Sequence, residues 1–132
     1  MAGSLTSRVN LIRERGGYPA EGFGFDFNGF ASQPPPRFGD ESRCRRPQDN
    51  PITYPFQSFA GDVTFHQPRL GHRTVDFNTE GMIHIGLLPE LIEDARRTGV
   101  TDQQLEPLFR SAEAYLRMWE RAEERASSLS ER

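Results

Sequence analysis

Lysine is absent from the 132-residue sequence, in which all 16 basic residues are arginine. Schiff-base chemistry requires a lysine amine, and the phosphate loop of nucleotide-binding enzymes also requires a lysine. Both classes of enzyme are therefore excluded. The net charge of -3 gives no electrostatic case for binding nucleic acid, so we expect no nucleic-acid partner.

Cysteine and histidine are also scarce. The one cysteine, Cys44, cannot form an internal disulfide or a cysteine-rich zinc site. None of the three histidines, His66, His72 and His84, has a histidine or acidic partner two residues away. Because metal-dependent hydrolysis needs several such ligands at one point, the residues alone predict no metal site in this chain.

Long apolar runs are missing as well. The longest, residues 82–88, is interrupted by His84 and Gly86, and the N-terminus lacks the charged and apolar regions of a secretory signal. The sequence therefore predicts neither a membrane span nor a signal peptide. We expect a cytoplasmic protein without a membrane partner.

The most regular pattern present is an alternation at residues 22–30, Gly-Phe-Gly-Phe-Asp-Phe-Asn-Gly-Phe. On a strand, alternation puts Phe23, Phe25 and Phe27 on one face and Asp26 on the other. Such a strand suits a barrel, where strand ends carry the chemistry, or a half-exposed antiparallel sheet, where Asp26 only faces water. The pattern predicts a strand over 22–28 and leaves both settings open.

The segments around this strand have simpler signals. Residues 4–15 have the marks of an amphipathic helix that ends at Gly16 and Gly17. The proline-rich residues 31–59 predict a long loop. Its aromatic side chains favour a loop that packs against another surface. Residues 63–77 predict a hairpin, because both of its ends alternate between apolar and polar side chains.

Helix signals are clearest toward the C-terminus. Pro89 suits the first turn of a helix over 89–98. Thr101 and Gln104 have the spacing of a capping box that opens a second helix over 102–125.

The second of these helices is expected to pack through its apolar stripe. Met118 and Trp119 lie in that helix and are predicted to be core. The charged, serine-rich residues 127–132 are predicted to fray. Residues 1–126 are accordingly predicted to form one region.

Two ionisable residues precede or open the helix at 89–98. His84 lies in a glycine-flanked approach to the helix start, where it could face a site or be a hydrogen-bonded structural histidine. Glu90 lies at the helix start, where a solvated charge is expected.

The Phe-rich segment carries a family resemblance. Residues 24–29, Gly-Phe-Asp-Phe-Asn-Gly, resemble Gly-Ser-Asp-Phe-Asp-Gly on the last barrel strand of the membrane (renal) dipeptidase family, zinc-dependent hydrolases related to the amidohydrolase barrels. Residues 76–90 and 108–119 look like the C-terminal region of large bacterial dipeptidase-like barrel proteins. The resemblance covers roughly residues 5–122.

This resemblance implies an α/β fold that is the C-terminal part of a TIM-like (β/α)8 barrel, incomplete on its own because a full barrel needs about 250 residues. It implies Asp26 as the catalytic proton shuttle, with Asn28 and His84 as substrate contacts. Zinc is the family's cofactor, but its ligands come chiefly from earlier strands, so binding by this chain alone is not expected. Phe25 and Asn28 replace the family's serine and second aspartate.

The expected function is a C-terminal fragment or subunit of a dipeptidase-like metal-dependent hydrolase of amide or peptide bonds, inactive alone. Its expected partners are the missing N-terminal barrel portion or a second copy, with a small peptide or amide as substrate. The alternative is a non-catalytic interaction module that uses the aromatic loop and the C-terminal helix.

Overall fold

The computed structural model describes residues 2–27, 30 and 32–130. These residues combine helices with two small antiparallel sheets. The helices are α1 (Ala2–Glu14), α2 (Phe77–Glu80), α3 (Leu88–Arg97), α4 (Asp102–Phe109) and α5 (Ser111–Ser130), with a 3₁₀ turn at Ile85–Leu87. The strands are β1 (Phe56–Gln57), β2 (Thr64–Phe65), β3 (Arg69–Leu70) and β4 (Arg73–Thr74).

The chain divides into two compact units instead of the single region expected over 1–126. Met1–Gly24 and Thr101–Arg132 form the first, here called the terminal unit. Phe25–Val100 forms the second, the central unit. The division falls inside residues 22–30, so Phe23 belongs to the terminal unit and Phe25, Phe27 and Phe30 belong to the central unit.

Helix α1 of the terminal unit matches the helix predicted over 4–15. It ends before Gly16, whose φ of 71° lies in the left-handed region that glycine adopts without strain. Val9 on its inner face is buried, as are Leu105 and Leu108 of α4, against which α1 packs. The apolar side chains on the facing sides of the two helices thus form the small core of this unit.

The helix predicted over 102–125 is two helices, α4 and α5, separated by Arg110. Pro107 inside α4 has no N–H, and its carbonyl accepts a hydrogen bond from Glu21 N at 3.1 Å. In a continuous helix that carbonyl would accept from Ser111 N. The helix is broken after α4 because the Pro107 carbonyl bonds Glu21 N instead of Ser111 N.

Helix α5 extends through the segment that was predicted to fray. Residues 127–130 are helical, and residues 131–132 lie outside the described part of the chain. The hydroxyls of Ser128 and Ser130 each donate to a carbonyl three residues earlier, both at 2.8 Å. These bonds satisfy carbonyls near the end of the helix and support its last turns.

The core of the central unit is a continuous apolar cluster. It gathers side chains from the long loop, from β1, and from α2, α3 and the turns before them: Ile52, Phe56, Val75, Phe77, Met82, Leu87 and Leu91. Helix α3 matches the helix predicted over 89–98 and contributes Leu91 to this cluster. Of the loop predicted over 31–59, the described residues 32–59 are irregular apart from β1.

The hairpin predicted over 63–77 is wrong in its pairing. Strand β2 pairs with β1, so Phe65 lies opposite Phe56, and their ring centroids are 5.3 Å apart. Strands β3 and β4 form a separate short hairpin in which Leu70 lies opposite Arg73. An aromatic cross-strand contact and a tight local turn therefore replace the longer pairing.

The strand predicted over 22–28 is also wrong for the residues described. Residues 21–26 have no regular secondary structure, and Asp26 has a φ of 51°, which a strand does not allow. A strand needs a hydrogen-bonded neighbour, and within the described residues none pairs with this segment. The fold is therefore mixed helix and sheet, and the described residues form no barrel.

Candidate functional site

The carboxylate of Asp26 is exposed between two anchored aromatic rings. Phe25 and Phe27 pack against the core of the central unit, with ring centroids 5.7 Å apart. The carbonyl of Phe25 also accepts a hydrogen bond from Gln33 Nε2 at 2.6 Å. The predicted alternation is therefore present only in part: the rings of Phe25 and Phe27 point inward and Asp26 is in solvent, but Phe23, predicted on the same face as these rings, is 40 % exposed.

The backbone of Asp26 gives this presentation its shape. Its φ of 51° places it in the left-handed region, which few residues other than glycine occupy and which aspartate tolerates better than most. Conformations of this kind cluster at functional sites, where the surroundings over-determine them. Here the flanking rings supply that restraint.

A groove of about 420 Å³ lies beside this segment within the central unit. It is lined by Phe27, Gln33, Pro34, Pro35, Glu80, Met82 and Ile83. Its wall is tight at Gly81, whose φ is 70° and where a Cβ atom would lie 2.8 Å from the Pro34 carbonyl oxygen. Only glycine fits there, so the proline run lies directly on this turn.

His84 lies close to the groove along the chain but does not line it. It is the N-cap of the 3₁₀ turn, and its Nδ1 accepts a hydrogen bond from Gly86 N at 2.9 Å. The imidazole is exposed, and Ile83 before it is a lining residue. This contact corresponds to the hydrogen-bonded structural role.

The predicted site residues are brought together only in part. The chain neighbours of Asp26 and His84, Phe27 and Ile83, meet in the groove, whereas Asp26 and His84 themselves are not among its lining residues. Asn28 lies outside the described residues. The polar side chains that line the groove, and that could bond a ligand there, are therefore Gln33 and Glu80.

Glu80 has structural duties in addition to its place on the groove. Its Oε1 accepts from Asp76 N at 2.8 Å, and its other oxygen forms an ion pair with Arg73. Asp76 in turn caps α2 by accepting from Asn78 N at 3.0 Å. These contacts fix the Glu80 carboxylate at the groove edge.

Two polar side chains hold the long loop of the central unit. Asn78 bonds both backbone groups of Ile52: Ile52 N donates to Oδ1 at 2.8 Å, and Nδ2 donates to the Ile52 carbonyl at 3.0 Å. Arg37 pairs with Asp94 at 2.8 Å and donates to the Asn50 carbonyl at 3.0 Å. These bonds replace the missing regular secondary structure in ordering the loop.

Glu90 is buried, with 3 % of its surface exposed, which corrects the expectation of a solvated charge. Burial raises the pKa of its carboxyl, and a hydrogen bond from Tyr54 Oη to Oε1 at 3.4 Å only partly opposes this. Its Oε2 has no hydrogen-bond partner among the described residues. Burial, followed by the nearby carboxylates of Glu90 and Asp76, also raises the pKa of Tyr54.

The described residues do not fit a zinc site. Over this part of the chain, no three His, Cys, Asp or Glu side chains lie together as a group that could hold a metal ion. Cys44 is an exposed free thiol.

Helix α5 carries a second candidate surface, in the terminal unit. Met118 and Trp119, predicted to be core, are 56 % and 55 % exposed, and none of the residues from Ser111 to Ser130 is buried. Tyr115 and Leu116 are exposed on the same helix. An apolar face of this kind is typical of an interaction surface.

Comparison with known proteins gives no match to this chain, whether against family models, curated proteins or solved structures. Among the residues described, no helix is long and apolar enough to cross a membrane.

The Arg37, Asn78 and Glu90 interactions were missed by the sequence analysis. Glu90 had a usable signal, because it lies three residues after Leu87 and one before Leu91, next to the buried face of α3. The bonds of Arg37 and Asn78 span 57 and 26 residues of sequence, and local spacing carries no signal for them.

Proposed function

We propose that this chain is the C-terminal portion of a dipeptidase-like, metal-dependent hydrolase of amide or peptide bonds, inactive alone and completed by a separate barrel portion. The observation that carries the proposal is the exposed Asp26 carboxylate, presented at positive φ between two anchored rings. It falls on the residue that the family resemblance assigns to proton transfer. The adjacent groove is wide enough for a small peptide.

In this proposal Asp26 moves a proton and does not bind the metal. Its carboxylate accepts a proton from the attacking water as the water oxygen bonds to the scissile carbonyl carbon. It then returns that proton to the leaving amine nitrogen as the carbon–nitrogen bond breaks. Asn28 and His84 are proposed contacts to the substrate. We assign no step to zinc, because the described residues do not fit it.

The first test is activity of the purified chain on dipeptides, with and without added zinc. We expect no hydrolysis above buffer and no stoichiometric zinc after dialysis. Zinc-dependent cleavage by the chain alone, abolished by Asp26→Asn, would refute inactivity in isolation.

The second test restores the missing part. The DNA upstream of this reading frame is translated and searched for a His-x-Asp pair after a predicted strand, and that product is co-expressed with this chain. We expect a stable complex with dipeptidase activity that Asp26→Asn reduces at least 100-fold, the range typical of general acid–base groups. Asp40→Asn, an exposed aspartate of the same unit, serves as the matched control and leaves activity unchanged. Full activity of the Asp26→Asn complex contradicts the proposal.

A second candidate function is favoured by α5. Its exposed apolar side chains suit a non-catalytic interaction module that binds another protein chain. Stable binding without metal or activity, even in the presence of the upstream product, would favour this module over the hydrolase.

A further inference from the structure

The apolar face of α5 has a repeat that is distinct from its composition. Six side chains recur at alternating spacings of three and four residues, the a and d positions of a coiled coil: Ala112, Tyr115, Trp119, Ala122, Ala126 and Leu129. All six are exposed. Such a stripe marks the line along which one helix meets another.

The rest of the helix surface explains why this stripe is open. On the opposite face, Arg117 lies over the ring of Tyr18 at 4.2 Å and pairs with Glu113 at 2.6 Å. Ser111, which precedes the stripe on the same face of the helix, lies 3.7 Å from where a Cβ of Gly22 would be. The described contacts of the terminal unit with α5 are therefore on its polar face and at its first residue, and the six stripe residues that follow are exposed.

The stripe is complementary in size to a second copy of itself that runs in the opposite direction. An antiparallel pair of α5 helices centred between Glu120 and Arg121 places Ala112 opposite Leu129, Tyr115 opposite Ala126, and Trp119 opposite Ala122. Every layer then combines one large side chain with one alanine, which is how closely packed layers interdigitate.

A parallel pair lacks this match. It places Trp119 on Trp119 and Tyr115 on Tyr115, while Ala122 and Ala126 face only alanine, so crowded layers alternate with gaps. In the antiparallel pair, the charges beside the stripe also avoid like charges: Glu123 faces Leu116 and Arg125 faces Met118 of the other copy. Their aliphatic stems can cover these apolar side chains.

The area limits the strength of such a pair. Residues 112–129 span about 27 Å of helix, and half the surface of that stretch is roughly 450 Å². Two copies would bury roughly 900 Å², which is below the standard range for stable complexes and is typical of weak, reversible association.

We propose that α5 binds a second copy of this chain as an antiparallel helix pair through the stripe 112–129. The pairing uses no residue assigned to hydrolysis, so it stands or fails independently of the proposed hydrolase. It rests on the second candidate function, the interaction module, and names a second copy of this chain as the partner of the stripe.

The test is a size swap followed by sedimentation equilibrium of the full chain. Wild type should form a dimer with a Kd on the order of 10–100 µM. Trp119→Ala leaves a gap and Ala122→Trp a clash, so each should raise Kd at least tenfold. The double variant restores one large and one small residue in that layer and should return Kd to within threefold of wild type.

Glu124→Ala, on the polar face, is the matched control and should leave Kd unchanged, and far-UV circular dichroism checks that each variant is helical. A wild-type monomer at all concentrations, a Trp119→Ala variant that dimerises normally, or a double variant no better than the singles overturns the proposal. A recovered double variant cannot be explained by a folding defect.

Orientation is tested separately by disulfide trapping in a Cys44→Ser background. Ala112→Cys and Leu129→Cys chains are mixed, oxidised, digested and analysed by mass spectrometry. Antiparallel pairing predicts that the linkage between positions 112 and 129 dominates. A preference for links between identical positions indicates a parallel pair and contradicts the proposal.

Discussion

The central and terminal units are ordered in different ways. The central unit is largely irregular, yet it buries a continuous apolar cluster and ties its loops with side chains such as Asn78. The terminal unit is mostly helix, yet its longest helix, the 20-residue α5, buries no side chain. The unit with more regular secondary structure is thus not the unit with the larger buried core. Burial is the larger source of stability, so we expect the central unit to be the more self-sufficient of the two.

The sharpest way to break this comparison is to truncate one methionine in each unit, a buried one in the central unit and an exposed one in the terminal unit. Met82→Ala empties a site that is 1 % exposed and should lower the free energy of unfolding of the central unit by about 2–5 kcal/mol. Met118→Ala, on exposed α5, should change it by less than about 0.5 kcal/mol. Urea titration followed by near-ultraviolet circular dichroism measures both. Equal losses would remove the distinction between the units.

Asn78 tests whether side-chain bonds order the irregular loop. Asn78→Ala deletes both bonds to Ile52 and should destabilise the central unit by about 1–3 kcal/mol, because two buried or half-buried backbone groups lose their partners. The control is Asp49→Ala, since the contact described for Asp49 uses only its backbone carbonyl. An unchanged urea midpoint for Asn78→Ala means that packing alone holds the loop.

The helical order of the terminal unit depends on its caps. Thr101 and Gln104 form the capping box, with Gln104 N donating to Thr101 Oγ1 at 3.3 Å and Thr101 N donating to Gln104 Oε1 at 2.9 Å. Thr101→Ala should lower the free energy of unfolding of this unit by about 1 kcal/mol, as followed by Trp119 fluorescence. Thr101→Ser keeps the oxygen and should keep most of the stability. Identical losses in both variants would argue against the cap.

Glu90 gives the smallest effect and a pH signature confined to the central unit. Because burial raises its folded-state pKa, the protonated form stabilises the fold below the ordinary glutamate pKa, and that contribution is lost as pH rises through the raised value. Glu90→Gln stays uncharged, so its stability relative to wild type should grow from about pH 4 upward. Exposed Glu41→Gln should show no such trend in urea titrations at each pH. A constant difference between Glu90→Gln and wild type would contradict the burial argument.

Local signals in the sequence predicted the helices well and the sheets poorly. Thr101 and Gln104 predict the start of α4 because a capping box is formed within four residues of sequence. Pro89 predicts the start of α3 because its signal is also local to the first turn. The end of α4 depends on a hydrogen bond from Glu21 to Pro107, which no local pattern reveals. Phe56 and Phe65 pair across a loop that the alternation of β2 does not specify.

The candidate site shows the same division. Alternation correctly predicted that Phe25 and Phe27 face the core while Asp26 faces solvent, but it wrongly placed the exposed Phe23 with them and wrongly predicted a strand. Two residues can pack against the same core without regular strand pairing, so the burial of Phe25 and Phe27 does not require a strand. The groove beside them depends on Gly81 approaching the proline run from 45 or more residues away, which spacing could not show.

Hydrogen–deuterium exchange at several protein concentrations tests the central claim, that the central unit is self-sufficient while α5 requires a partner. We predict that amides around Val75, Met82 and Leu91 are protected equally at all concentrations, whereas amides of residues 112–129 gain protection as concentration rises through the dimer Kd. Strong protection of 112–129 that does not depend on concentration, or protection of the central unit that does, would contradict the account.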